Sequence, residues 1–187
     1  MTVTEPTARP WLGSPWTVED LLDVPDDGLR HELFDGVLQV SPAPDLFHVS
    51  TAANLDELLK RAAPPDLFVA SAGAGVFVND NTYYIPDVLV FRRSVIGRGV
   101  RGVKPADVML AIEVLSPSNS RQDLVLKRYE YARAGIPLYW IVDPDKRTLT
   151  VLTREQDAYV ESALVRAGER FTTEEPFAVE FDPGEIC

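Results

Sequence analysis

The stretch that decides the fold is residues 108–118, VMLAIEVLSPS, where one glutamate lies inside an apolar run. A short apolar run of this kind predicts a buried strand, and the Ser-Pro-Ser after it predicts a turn. Glu113 has apolar neighbours on both sides, and burying a carboxylate is costly unless it is paired or bound to a cation. Glu113 is therefore a candidate functional residue. The alternative is an edge-strand residue whose side chain reaches water.

A second acid opens the preceding apolar strand, in residues 86–91, PDVLVF. Asp87 and Glu113 on neighbouring strands would form an oxygen-rich site, and hard oxygen ligands suit Mg²⁺ or Mn²⁺. The chain has one cysteine, Cys187, and two histidines, which argues against a zinc site and against a disulfide framework. The two acids thus predict a site for Mg²⁺ or Mn²⁺.

Lys127 is a candidate partner for these acids. In helical projection it falls near Leu124 and Tyr131, so its stem would run along an apolar surface. An ammonium placed there could hold the attacking water or a scissile phosphate as a compact point charge. The alternative is an ion pair with Asp123, one turn earlier on the same face, and the local sequence alone favours that alternative.

Two other polar residues have ordinary explanations in the local sequence. Alternation places Glu32 on the strand face opposite Leu33, and by itself this pattern favours a solvated hairpin residue. His48 begins a predicted helix, where a histidine with satisfied hydrogen bonds is favoured over a catalytic base.

The order of predicted elements indicates a mixed α/β fold. A capping box at Thr17 and Asp20 predicts a short first helix, and Asp35-Gly36 predicts a β-hairpin. Longer helices are predicted at residues 48–61 and 120–134, the latter with a second capping box at Ser120 and Asp123 and with Gly135 at its end. Further strands are predicted at residues 67–78, 87–91, 108–115, 138–142, 149–152 and 159–164. We expect a mixed central sheet flanked by helices, in one domain from residue 16 to 187 after a disordered tail at residues 1–15.

Composition and charge restrict the class of protein. The 187 residues carry a net charge of −11, which argues against a protein that coats nucleic acid by charge alone. Nine of the 18 cations but four of the 29 anions lie in residues 92–133, which predicts either a basic face or an ordinary solvated segment. No apolar run approaches the length of a membrane span, and residues 1–14 lack the pattern of a secretory signal. We therefore expect a cytoplasmic protein without membrane contact.

Five motifs occur together in an order that resembles the Uma-type family of bacterial restriction-like endonucleases, which is part of the PD-(D/E)XK phosphodiesterase superfamily. The resemblance covers about residues 17–165. No single motif is specific, but the five are specific jointly. They are HELFDG at residues 31–36, PDV at 86–88, IEVLSPS at 112–118, the spacing of Asp123, Lys127 and Tyr131, and GIPLYWIVDP at 135–144.

The resemblance implies a restriction-endonuclease-like fold and metal-dependent nuclease chemistry. It implies that Asp87 and Glu113 are metal ligands, that Lys127 is the catalytic lysine and that Glu32 is a helper carboxylate. In the superfamily the lysine usually stands two residues after the second acid, where this chain has Leu115. A second departure is Leu138, which stands where a glutamate is expected.

The expected function is an endonuclease that uses Mg²⁺ or Mn²⁺ to hydrolyse phosphodiesters in nucleic acid, with DNA as the expected substrate. A homodimer is compatible with this expectation. Two alternatives stay open. One is a catalytically silent nuclease-fold module that binds DNA or protein, and the other is a hydrolase of small phosphodiesters.

Overall fold

A computed structural model of the chain describes residues 15–25, 27–41, 43–71, 73–97, 99–116 and 122–187, with the backbone alone at residues 122–124. Residues 1–14 lie outside these ranges, so the disordered tail at residues 1–15 stays a prediction, as does the single domain from residue 16 to 187. Within the described ranges, no helix combines the length and the apolar character that crossing a membrane requires.

The described residues form thirteen strands and four α-helices. The helices are α1 (Val18–Leu22), α2 (Leu46–Ala62), α3 (Arg128–Ala134) and α4 (Pro183–Ile186). The strands are β1 (Arg30–Phe34), β2 (Val37–Ser41), β3 (Leu67–Ser71), β4 (Gly75–Asn79), β5 (Thr82–Tyr84), β6 (Val88–Arg92), β7 (Gly102–Val103), β8 (Val108–Val114), β9 (Leu138–Asp143), β10 (Thr148–Glu155), β11 (Ala158–Arg166), β12 (Phe171–Thr173) and β13 (Val179–Phe181). Short 3₁₀ turns occur at Arg93–Val95 and Pro105–Asp107, and a π-helical segment, Gln122–Lys127, runs directly into α3.

The central sheet has six strands in the order β11-β10-β9-β8-β6-β3. The β8–β9 pair is parallel and the other pairs are antiparallel, so the sheet is mixed. Strands β8 and β9 lie in its middle and are almost wholly buried, because each is covered on both faces. The parallel pair needs a crossover, which is supplied by the helical segment that carries Lys127.

A second sheet has five strands in the order β2-β1-β5-β4-β7. Its β1–β2 hairpin turns at Asp35 and Gly36, whose φ angles of 44° and 76° are the left-handed values that such a tight turn requires. The hairpin and the Thr17 capping box of α1 confirm the sequence predictions.

Layers of apolar side chains cover both faces of the central sheet. One face packs against the leucines of α2 and against the small β12–β13 sheet, in a cluster that includes Leu55, Leu59, Ile112, Trp140 and Phe181. The other face packs against α3 and strands β4 and β5, in a cluster that includes Val76, Tyr84, Ala111, Tyr131 and Tyr139. Glu113 alternates with Ile112 and Val114, so its side chain is directed to this second face.

Several elements differ from the predictions. The strand predicted at residues 67–78 is two strands, β3 and β4, in different sheets, with the break in the glycine-containing segment between them. Strands β5, β7, β12 and β13 and helix α4 were not predicted, because segments of two to four residues are too short for a periodic pattern. The helix predicted at residues 120–134 is π-helical at Gln122–Lys127. The capping box proposed for Ser120 and Asp123 lies outside the described side chains.

Gly135 ends the helix that carries Lys127, as predicted, with a left-handed φ of 90°. A Cβ at this position would meet no atom within 4 Å. Gly135→Ala should therefore lower stability only because alanine disfavours the left-handed backbone conformation. We expect Gly135→Ala to lower the free energy of unfolding by about 1 kcal/mol in urea denaturation. Gly135→Asn is the control and should cost less, because asparagine tolerates this conformation. An alanine variant as stable as the parent would contradict this explanation of the helix end.

Candidate active site

Asp87 and Glu113 face each other across two paired strands. The antiparallel register joins Val88 to Ile112 and Leu89 to Ala111, and continuing it by one residue places Asp87 opposite Glu113. Residues directly opposite in an antiparallel pair have their side chains on the same face, with Cβ atoms about 5 Å apart. Both are buried, with exposed fractions of 7% and 1%. The two carboxylates therefore share one buried side of the sheet.

Asp87 is held by groups from three other elements. Its Oδ2 accepts a hydrogen bond from the backbone N–H of Val114 (2.8 Å) and lies 3.1 Å from Nε2 of His48 on α2. Its Oδ1 accepts a hydrogen bond from Nη1 of Arg30 at 2.8 Å. Burial alone would raise the pKa of Asp87, but the His48 hydrogen bond and the Arg30 charge outweigh it and hold the pKa well below its usual range. Asp87 is thus an anion in the folded protein.

Glu113 is bonded within the core and does not reach water. Strand β8 lies between β6 and β9, so the edge-strand alternative is wrong for this residue. Its Oε1 accepts hydrogen bonds from Nζ of Lys127 (2.9 Å) and from the hydroxyl of Tyr131 (3.3 Å). Its Oε2 lies 3.9 Å from Nη2 of Arg30.

Lys127 is buried at the centre of the cluster, with 2% of its surface exposed. Besides the bond to Glu113, its Nζ lies 3.1 Å from Oε1 of Glu32 and 5.5 Å from the ring centre of Tyr84. The side chain of Asp123 lies outside the described residues, so an ion pair between Asp123 and Lys127 stays a prediction. The burial of Lys127 does contradict a surface ion pair.

Glu32 is buried as well, with an exposed fraction of 5%, so the interpretation as a solvated hairpin residue is wrong. The prediction that Glu32 and Leu33 lie on opposite strand faces is confirmed, since Leu33 packs in a separate apolar cluster. Oε1 of Glu32 accepts a hydrogen bond from the backbone N–H of Ile85 at 2.7 Å. Burial opposes ionisation of Glu32, but the charges of Lys127 and Arg30 and the Ile85 N–H lower its pKa below the ordinary value. The structure therefore brings all four predicted site residues together.

Arg30 is the site residue that the sequence reasoning missed. It precedes Glu32 by two residues on β1, and that spacing places both side chains on the same strand face, which was a usable signal. His48 was considered, and its place at the helix start is as predicted: Asp45 accepts the His48 backbone N–H at 2.9 Å. Its imidazole nevertheless contacts Asp87. Burial lowers the pKa of His48, but Asp87 outweighs this effect and raises the pKa above the ordinary value.

The donor chemistry of the cluster suits a hard divalent cation. Glu32, Asp87 and Glu113 provide three carboxylates against the two permanent cations Arg30 and Lys127, so one negative charge is left if His48 is neutral. Within the described residues, however, no three acidic, histidine or cysteine side chains form a ready set of metal ligands. In this arrangement the guanidinium of Arg30 is bonded to Asp87 and lies beside Glu113.

A cleft of about 520 Å³ opens beside Asp87. Its walls come from the first half of α2, from the β3–β4 connection and from the residues before β1 and β6. Most of the lining is apolar, including Leu29, Val49 and Ile85, while Arg30, His48 and Asp87 lie together in the lining as its charged and titratable groups. The cleft gives Asp87 a path to solvent, and Glu32 and Glu113 lie behind it.

Leu138, the second departure noted in the sequence, lies away from this cluster. Leu138 is buried on the opposite face of the central sheet from Glu113, so a glutamate there would not reach the site.

The cations in residues 92–133 that the structure describes have different surroundings. Arg93 donates to the carbonyls of Pro65 and Leu67, whereas Lys127 is inside the site. Arg93 and Asp87 flank the two ends of β6, about 20 Å apart, so Arg93 lies well away from the acids.

Comparison with known proteins identifies the family. The family model Uma2, described as "Putative restriction endonuclease", matches residues 18–183. A crystal structure described as a putative nuclease belonging to DUF820 from Anabaena variabilis ATCC 29413 superposes with a TM-score of 0.72 at 19% identity, over 92% of this chain and 97% of that one. No curated protein sequence matches the chain. The predicted restriction-endonuclease-like fold is thereby confirmed, and the chain belongs to the Uma2 family.

Proposed function

We propose that this chain is a metal-dependent endonuclease that hydrolyses phosphodiester bonds in nucleic acid, with DNA as its substrate and the cytoplasm as its location. The observation that carries the proposal is the buried cluster of Glu32, Asp87, Glu113 and Lys127 beside an open cleft. Buried charges of both signs at a cleft are costly for stability and typical of functional sites.

Each residue has a role that its contacts support. Asp87 and Glu113 would hold Mg²⁺ or Mn²⁺, which supplies charge stabilisation and an activated water when bound. Lys127 would hold the attacking water or a phosphate oxygen through its ammonium. Glu32 would position Lys127, because its Oε1 is fixed by the Ile85 N–H and lies 3.1 Å from Nζ. In the hydrolysis, a water oxygen forms a bond to phosphorus, the bond to the leaving oxygen breaks, and a proton ends on that oxygen.

The experiment is cleavage of supercoiled plasmid, of RNA and of a small nitrophenyl phosphodiester, with Mn²⁺, with Mg²⁺ and with EDTA. We expect nicked or linear DNA with metal and none with EDTA, and loss of cleavage in Asp87→Asn. Asp157→Asn is the control, since Asp157 is an exposed acid paired with Arg154, and it should cut like the parent. Turnover of the small ester without any nucleic acid cleavage would identify a small-phosphodiester hydrolase instead.

One observation favours a second candidate, the catalytically silent binding module. The ion pairs of Arg30 with Asp87, Glu32 and Glu113 compensate the acids without any metal, as a purely structural cluster would require. Failure of the parent protein to cut any of the three substrates with either metal would favour this candidate over the endonuclease.

Metal should stabilise the parent protein, because a cation relieves the excess negative charge of the three acids. At ten times its Kd, one bound metal ion raises the free energy of unfolding by about 1.4 kcal/mol, which corresponds to a few degrees in Tm. Asp87→Asn should lose most of this increase. The measurement is thermal denaturation across a titration of MnCl₂, with CaCl₂ as the comparison ion. Identical metal-induced shifts in the parent and in Asp87→Asn would count against Asp87 as a ligand.

A further inference from the structure

One guanidinium contacts all three acids of the site. Nη1 of Arg30 donates to Oδ1 of Asp87 at 2.8 Å, and Nη2 lies 3.5 Å from Oε1 of Glu32 and 3.9 Å from Oε2 of Glu113. Nη2 also donates to the carbonyl of Ile85. Arg30 thus places a positive charge against all three acids, in addition to the charge of Lys127 beside Glu32 and Glu113.

A metal ion shared by Asp87 and Glu113 would compete with Arg30 for Oδ1 of Asp87 and Oε2 of Glu113, because Oδ2 and Oε1 each already have two other partners. Mg²⁺ requires ligand oxygens at about 2.1 Å in near-octahedral geometry. A metal ion coordinated by Oδ1 of Asp87 would therefore take the place that the Arg30 guanidinium occupies. Charge leads to the same conclusion. With Arg30 and Lys127 both in place, the three acids retain one negative charge, and a divalent ion added beside Arg30 would be repelled by it.

Arg30 also has access to the substrate side of the site. It lines the cleft, and a quarter of its side-chain surface is exposed. Among the described residues of the lining, it is the one permanent cation. Its Nε is buried and has no hydrogen-bond partner within the described part of the chain. A guanidinium binds phosphate oxygens through parallel N–H groups, so a phosphate in the cleft is a suitable second partner.

We propose that Arg30 exchanges partners: it neutralises Asp87 and Glu113 in the free protein, gives way to the metal ion, and then binds a phosphate of the nucleic acid in the cleft. This inference rests on the proposed function, because it needs both the metal ion and the nucleic acid. The exchange makes metal binding and nucleic acid binding cooperative, since each ligand removes a cost that the other would otherwise meet. It also provides a cation for the substrate in a protein whose net charge is −11.

The test uses Arg30→Met in two binding measurements that do not depend on cleavage. The first is titration of MnCl₂ alone, followed by isothermal calorimetry, in which we expect the Kd for Mn²⁺ to fall at least about 10-fold because the competing cation is gone. The second is fluorescence anisotropy of a labelled DNA oligonucleotide with saturating Ca²⁺, in which we expect binding to weaken at least about 10-fold because a phosphate contact is lost. If Arg30 had only a structural role, Arg30→Met would not change the two affinities in opposite directions.

Two further variants accompany the test. Arg30→Gln removes the charge and keeps a polar amide on a shorter stem, so it should show the same opposed changes if Arg30→Met is too unstable to purify. Arg61→Met is the control, because Arg61 is an exposed arginine of α2 that pairs with Glu57, and neither affinity should change. Equal Mn²⁺ affinity in the parent and in both Arg30 variants would overturn the exchange and leave the proposed function standing. Absence of Mn²⁺ binding in all of them would overturn the proposed function and the exchange together.

Discussion

Lys127→Met is expected to reduce plasmid cleavage with Mn²⁺ by at least about 100-fold, the usual effect of removing a preorganised group that stabilises developing charge. The reason is the place of the ammonium, which lies 2.9 Å from Glu113 and 3.1 Å from Glu32 in the buried cluster. Methionine keeps a straight apolar stem beside the Tyr84 ring while it deletes the charge. The measurement is the initial rate of supercoiled plasmid loss, at a temperature where circular dichroism shows the variant to be folded.

Lys146→Met is the matched control for this prediction. Lys146 is largely exposed, and its ion pair with Asp143 lies at the surface, so its loss should leave the cleavage rate unchanged. If Lys127→Met cuts as fast as the parent and as Lys146→Met, Lys127 has no part in the chemistry and serves only to neutralise buried acids.

The same substitution should also have the largest effect on stability. Deleting one partner of a buried ion pair commonly costs about 3–5 kcal/mol, because the opposite charge stays buried. Without Lys127, Arg30 is the one permanent cation among the described residues that contacts the three buried acids, so we expect the free energy of unfolding to fall by about 3 kcal/mol. The measurement is urea denaturation in EDTA. For Lys146→Met, the free energy of unfolding should fall by less than about 1 kcal/mol, which is the usual cost of losing a surface ion pair.

A double variant separates charge from packing. Adding Glu113→Gln to Lys127→Met removes one negative charge, and the amide oxygen can still accept the Tyr131 hydroxyl. The double variant should regain at least about half of the lost stability, because contacting charged residues are not additive, and it should stay inactive. If the double variant is no more stable than Lys127→Met, the cost arises from packing around the stem.

The parts of the fold that were predicted are those with a local physical signal. Asp35-Gly36 predicted the hairpin because few dipeptides accept two left-handed residues, and Gly135 predicted the end of α3 for the same reason. The apolar runs around Glu113 and in β9 predicted buried strands, and the structure confirms this because those strands are covered on both faces. Short strands such as β12 and β13 carry no such signal and form through packing against Trp140.

The site could be predicted only in part, for a related reason. Glu113 was identified from the cost of burying a charge, which is visible in the sequence as a glutamate in an apolar strand. The local patterns of Glu32 and Lys127 favoured solvent and an ion pair with Asp123, and these residues were singled out by family resemblance. Their burial depends on the packing of the five-stranded sheet on the central sheet, which joins residues far apart in sequence. Arg30 was missed because its contacts to Asp87 and Glu113 are long-range in the same way.

Anomalous diffraction from crystals of this protein grown with MnCl₂ would show directly whether Asp87 and Glu113 share a divalent cation. We expect one anomalous peak within coordination distance of a carboxylate oxygen of Asp87 and of one from Glu113, with Arg30 withdrawn from Asp87. No anomalous density between these two side chains, with the Arg30 guanidinium still bonded to Asp87 at saturating Mn²⁺, would contradict it.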